Sequence, residues 1–232
     1  MVGAGESAAS GRPHRKFIYM AAAFSLGVFN DNFYKQAAML LAVGAGRPEM
    51  QGYALVIFTL PFVLLAAPAG WMADRFSKGQ VIIGAKCCEL IAMLCGAVGI
   101  CTGHWSLIFT MLAVMGAQAT FLSPALNGSI PELYPEGYVM RVNAMLRVAV
   151  TLAILGGVAL GGLALDISGV GWRGFPQGRL TVAGVVIVTA LLGLLISGGV
   201  PRQPAAAPST AFPWGGPSST IRKLWDTRRD PL

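Results

Sequence analysis

Charge is scarce in this sequence. Only 12% of its 232 residues are Asp, Glu, Lys or Arg, against about 25% in an ordinary soluble domain. The shortage is uneven, because long stretches carry almost no charge and short stretches carry nearly all of it. A soluble helical protein of this length would show charged faces every three or four residues, so that class is excluded. Histidine is scarcer still, with two residues, and neither sits at metal-ligand spacing near the four cysteines. Those cysteines, Cys87, Cys88, Cys95 and Cys101, form no CxxC pair, which removes the zinc and redox-motif readings. No Gly-rich phosphate loop or nucleophile elbow is present, and neither His14 nor His104 is followed by an aspartate in a His-x4-Asp arrangement. The expectation is therefore a protein that is not an enzyme and holds no metal or cofactor. The cysteines are expected to be buried free thiols that behave as small hydrophobes.

What the chain does have is hydrophobicity, at 55% of residues, gathered into runs. A membrane span needs about 20 mostly apolar residues. Runs of that kind fall at about 17–43, 52–72, 81–101, 105–122, 142–165 and 180–200. The predicted fold is an all-α membrane protein of six transmembrane helices. Residues 1–16 read as a polar N-terminal tail, and 201–232 as a Pro/Ala/Ser/Gly-rich segment that turns basic at Arg222, Lys223, Arg228 and Arg229. A basic start before the apolar run Phe17–Phe29 has the outline of a signal peptide. That run resumes after Gln36 and further spans follow, so it reads as the first transmembrane helix. Between 122 and 142 the sequence reads as a polar linker with Pro124, Asn127, Pro131, Glu132, Pro135 and Glu136.

The net charge of +7 invites a nucleic-acid reading, but loop charges that set topology explain it better. With the amino terminus inside, the inner segments hold Arg12, Arg15, Lys16, Arg75, Lys78, Arg141, Arg202 and the four basic residues of the tail. The outer loops hold only Arg47, Arg173 and Arg179. Lys86 and Arg147 read as additions to the inner side, at the inner ends of the third and fifth spans. The bias predicts a multi-pass protein with both termini in the cytoplasm.

The first span carries an unusual cluster: Asn30, Asp31, Asn32, Lys35 and Gln36. A charge at the bilayer centre costs roughly 2.5–3.5 kcal/mol on insertion scales, whereas each strong hydrophobe returns only about 0.3–0.6 kcal/mol. Such a cluster avoids lipid. Asp31 and Lys35 are four apart on one helix face and are spaced to pair in the acid-first order. Two readings follow: a static polar staple between helices, or the lining of a water-filled cavity that binds substrate or coupling ion. Glu89 in the third span is either protonated or partnered. Asn143 and Arg147 in the fifth are again four apart; Arg147 either joins the cavity or snorkels to the surface. In that same span Gly157 and Gly161 form a GxxxG, extended by Gly156 and Gly162, which lets helices approach closely.

The turn after the second span reads Gly70-Trp71-Met72-Ala73-Asp74-Arg75-Phe76-Ser77-Lys78-Gly79-Gln80. It resembles the signature between helices two and three of the major facilitator superfamily, departing at Ser77, where glycine is usual, and at Gly79, where a second basic residue is usual. The run Leu26-Gly27-Val28-Phe29-Asn30-Asp31-Asn32-Phe33-Tyr34-Lys35-Gln36-Ala37 resembles the first helix of the lysophospholipid transporter branch of that superfamily. Ser123-Pro124-Ala125, Ile130-Pro131-Glu132-Leu133, Asn143-Ala144, Leu152 to Gly157 and Leu224 to Arg229 are similar to the same branch. The resemblance implies one half of a twelve-helix carrier that moves lysophospholipid between leaflets of a bacterial inner membrane by alternating access. It places Asp31 in the cavity and Gly70, Asp74, Arg75 and Lys78 in a gate. It also implies a second six-helix half, toward which 201–232 would lead, and in some members a fused or associated acyltransferase. A half alone is expected to hold one wall of the cavity and to transport little. The alternatives are a carrier of another small solute or drug, and a truncated, non-transporting membrane protein.

Overall fold

In the computed structural model the described residues are 6–200, 204–205, 207–209, 212 and 225, with residues 6–17 described in their backbone alone. The described residues form seven α-helices: α1 (Glu6–Gly44), α2 (Glu49–Leu64), α3 (Ala66–Arg75), α4 (Lys78–Thr102), α5 (Trp105–Leu133), α6 (Glu136–Leu165) and α7 (Gln177–Ser197). A 3₁₀ turn at Trp172–Gly174 and an isolated bridge between Val170 and Pro176 shape the loop from α6 to α7. Helix α1 packs on α6 and α7, α4 packs between α5 and α7, and α2 and α3 lie against α5.

Several boundaries differ from the sequence reading for identifiable reasons. The second span is two helices, bent by 51° at Leu65. Pro68 has no N–H for the Leu64 carbonyl, and its ring crowds that carbonyl; Pro61 repeats the defect one segment earlier inside α2. The expected linker after 122 is helical instead. Helix α5 continues through Pro124 and Pro131 to Leu133, and α6 begins at Glu136 immediately after Pro135. Prolines in a buried membrane helix are tolerated because neighbouring helices satisfy the freed carbonyls. Helix α1 also begins ahead of the expected tail boundary, at Glu6. Gly103, at φ 73°, closes α4 in the left-handed conformation that glycine adopts freely.

Among the described residues four helices, α4 to α7, are long and apolar enough to cross a membrane, and the bent α2–α3 pair makes a fifth if it is one span. Helix α1 has the length but not the composition, since its middle carries the polar cluster. The described residues are thus all-helical and the chain is a multi-pass membrane protein, and length and composition alone do not reach the six spans expected.

The interior is two apolar layers with a polar layer between them. One is built on Phe33, Tyr34, Met93, Ile108, Leu112 and Val186. The other is built on Met20, Ile82, Ala85, Leu126, Ile130 and Leu146. On α1, Asn30 and Asp31 fall between the segments that feed the two layers; on α4, Lys86 and Glu89 do; on α5, Gln118 does. This middle layer is where the buried polar side chains of three helices meet.

Candidate functional site

The middle layer divides into a closed half and an open half. In the closed half Lys86 Nζ bonds Glu89 Oε2 at 2.6 Å, one helical turn apart, and both side chains are fully buried. Asn30 Nδ2 donates to the Val186 carbonyl at 3.1 Å and reaches Glu89 Oε1 at 3.4 Å, so α1, α4 and α7 are tied through one network. Glycine at 27 makes the room, since a Cβ there would lie 2.6 Å from Lys86 Nζ. Of the two readings open for Glu89, the structure shows the partnered one, with Lys86 and Asn30 as the partners that the sequence did not identify. Lys86, read from sequence as a charge at the inner end of a span, is corrected: it is a core residue. Residues 82, 85, 86, 89 and 93 are all buried, which is one helix stripe, and that spacing was the available signal.

The open half is a cavity of about 310 Å³ lined by Gly27, Asp31, Asn32 and Lys35 of α1, Phe58 and Phe62 of α2, and Gln118 and Ser123 of α5. Asp31 is 7% exposed, and its Oδ1 has no hydrogen-bond partner. The expected Asp31–Lys35 ion pair does not form; Lys35 Nζ lies over the Phe58 ring, 4.5 Å from its centre. Phe58 offers a π face that attracts the ammonium, while Asp31 Oδ1 is left without a partner. Asn32 is turned back on its own helix, with Nδ2 donating to the Val28 carbonyl at 2.7 Å. Gln118 is 3% exposed and its Oε1 is also unpartnered. Buried polar atoms are nearly always paired, so two orphan acceptors at one cavity are a feature to be explained. Both residues line the cavity, and Lys35 adds a cation to the same wall.

The remaining sequence candidates lie elsewhere. Gln36 is half-buried on α1 outside the cavity lining, and Asn143 and Arg147 are exposed on α6. The cysteines correct the sequence expectation: Cys87, Cys88 and Cys95 are exposed and Cys101 is half-buried. They follow the outward face of α4 with Ile91, Leu94 and Val98. Apolar faces of a membrane helix turn outward as readily as inward, so hydrophobicity alone could not place them.

At the α3–α4 turn Lys78 is buried, ion-paired with Glu132 and donating to the Gly128 carbonyl at 3.2 Å. A lysine at the positive end of a helix dipole is unfavourable by itself, and Glu132 on the last turn of α5 offsets it. Glu132 was read as a linker residue; helical continuation of α5 is what brings it here. Arg75 lies over the Trp71 ring at 5.4 Å. Asp74 is exposed, and its carbonyl accepts the Ala207 N–H at 2.9 Å. Gly70 is half-buried with open space where a Cβ would be.

Comparison with known proteins agrees with this architecture. The chain is 29% identical over 199 residues to the lysophospholipid transporter LplT of Serratia proteamaculans, covering 85% of this chain and 46% of that protein. It is 30% identical over 187 residues to LplT of Pectobacterium carotovorum, covering 80% and 42%, and 28% identical over 205 residues to LplT of an Enterobacter strain, covering 86% and 48%. The chain spans about half the length of these curated relatives. A model of the Major Facilitator Superfamily matches residues 17–229, nearly the whole sequence. The chain belongs to the major facilitator superfamily.

Proposed function

We propose that this chain is the amino-terminal half of a bacterial inner-membrane carrier that moves lysophospholipid between leaflets by alternating access. Its six spans are α1, the bent α2–α3 pair, and α4 to α7, with both termini cytoplasmic. The observation that carries the reading is the unneutralised Asp31–Lys35 face: a buried carboxylate with a free oxygen and a lysine held off it by Phe58. A zwitterionic phosphoethanolamine head fits such a wall. Its ammonium takes the carboxylate and its phosphate takes the lysine, as charge-assisted bonds of the strong kind. A staple between helices would have closed the pair on itself. The relatives named as lysophospholipid transporters add the substrate class.

A second six-helix half completes the site, because carrier sites form between halves at the midplane. The exposed face of α6, with Asn143 and Arg147, is its docking side. Gly70, Asp74, Arg75 and Lys78 form the cytoplasmic gate, in which the Lys78–Glu132 tie favours one conformation until substrate shifts the balance.

The test is uptake of radiolabelled lysophosphatidylethanolamine by cells producing the carrier, with and without Asp31→Ala. The reading requires the initial rate to fall by at least about tenfold, the loss expected for one charge-assisted bond, at equal protein abundance. An unchanged rate would sink it.

A further inference from the structure

The loop from α6 to α7 is held to one shape. Gly171 N–H donates to the Phe175 carbonyl at 2.8 Å and Gln177 N–H to the Gly169 carbonyl at 2.9 Å, alongside the Val170–Pro176 bridge. Gly174 N–H closes the tip on the Gly171 carbonyl at 3.2 Å. The feet are pinned as well, since a Cβ at Gly178 would run into the Leu165 carbonyl. The side chains this loop displays are apolar: Val170 is 79% exposed and Trp172 69%, and Ile167 is exposed too. The only charge between Asp166 and Arg179 is Arg173, whose guanidinium lies 4.5 Å from the centre of the Trp172 ring. Arg173 sits at φ 57°, a left-handed conformation that glycine takes freely and other residues take at a cost. Gly169 and Gly174 fill the loop's other two positions of that kind, so an arginine here is kept for what its side chain meets. Arg179 is already engaged, donating to the Cys101 carbonyl at 3.4 Å, which leaves Arg173 as the cation the loop offers.

We propose that this loop anchors the chain in the surface of the bilayer: Val170 and Trp172 sit among the glycerol and upper acyl groups of the leaflet it meets, and Arg173 binds a lipid phosphate. The partner follows from place and chemistry. Helices α6 and α7 are both long and apolar enough to cross the membrane, so the loop joining them lies at a membrane face, where tryptophan is favoured. Water on every side would leave Val170 and Trp172 unburied, and hydrocarbon would strand the charge of Arg173. The interface suits both. A guanidinium is a flat fork that pairs two oxygens of a phosphate at once, and no carboxylate between Ile167 and Arg179 competes for it. The anchor does not depend on which lipid or solute the carrier moves.

The test uses the full carrier, this chain together with its second half, in nanodiscs of phosphatidylethanolamine and phosphatidylglycerol. The lipids carry bromine either near the glycerol end or near the methyl end of their acyl chains. Trp172→Phe removes one tryptophan, so the difference in emission between the two proteins is the Trp172 signal. That signal should be quenched by bromine near the glycerol end and spared by bromine near the methyl end. A Trp172 signal that neither lipid quenches would overturn the anchor, placing the loop in water or against the second half. Quenching chiefly from the methyl end would overturn it too, since the ring would then lie well below the phosphates. Arg173→Gly separates the phosphate contact from the shape of the loop, because glycine keeps the conformation without strain. The shift in melting temperature it causes should be more negative in phospholipid nanodiscs than in a maltoside detergent, which has no phosphate. An equal shift in the two media would overturn the role of Arg173.

Discussion

Lys86 and Glu89 illustrate how a single residue's meaning depends on its helix face. Removing Lys86 as Lys86→Met leaves a buried carboxylate without its partner, at a cost of about 3–5 kcal/mol. The double variant Lys86→Met/Glu89→Leu should recover most of that loss, because an apolar pair of similar volume is often as stable as a buried ion pair. Thermal unfolding in a fixed detergent measures both; equal melting of the single and double variants would contradict the assignment. Tyr34, whose hydroxyl donates to the Gly96 carbonyl at 3.1 Å, is a smaller case. Tyr34→Phe should lower stability by about 0.5–1.5 kcal/mol in the same assay. Asp31 and Glu89 were legible in the sequence because charge inside an apolar run is conspicuous. Lys86 was not, since a lysine near a span end reads as a snorkelling side chain until the partner helices are known. The spacing of Asp31 and Lys35 was read correctly as one face. Their separation was not legible, because Phe58, which holds Lys35 away, comes from another helix.

At the scale of elements, the α1–α6 contact is set by small residues. A Cβ at Gly157 would lie 2.6 Å from the Phe29 carbonyl oxygen, and one at Gly161 would lie 2.5 Å from that of Phe33. Both clashes are with backbone, so the helices themselves must separate. Gly161→Val is expected to abolish stable folding, seen as loss of the monodisperse peak in size-exclusion chromatography. Gly184→Ala, whose Cβ meets open space, should behave as wild type. The GxxxG pattern announced a close contact from sequence, but not that α1 was the partner. In sequence the end of α5 has the composition of a linker. Pro124, Asn127 and Pro131 break a soluble helix, and only the surrounding bundle lets α5 continue and bring Glu132 to Lys78. The bend at Leu65 was missed for the opposite reason: the run around Pro61 and Pro68 is apolar enough to pass for one straight span.

For the molecule as a whole, two apolar layers enclose a polar one, and the polar layer opens on one side into a cavity. Large apolar side chains such as Leu152, Leu155 and Leu163 of α6, and Val56 and Val63 of α2, are exposed, as they must be where lipid or another helix covers them. Arg147 is also exposed on α6, so Arg147→Ala should change the stability of this chain by no more than about 0.5 kcal/mol. If a second half docks there, the same variant should still lower lysophospholipid uptake, and the pair of measurements separates the two effects. The central claim is that the free oxygen of Asp31 receives the cationic head of the substrate. Its most direct test is equilibrium binding of lysophosphatidylethanolamine to the purified carrier, this chain together with its second half, in lipid nanodiscs, wild type against Asp31→Asn, which keeps the volume and removes the charge. The account predicts saturable binding weakened by at least about tenfold in the variant, and equal affinity for the two proteins would contradict it.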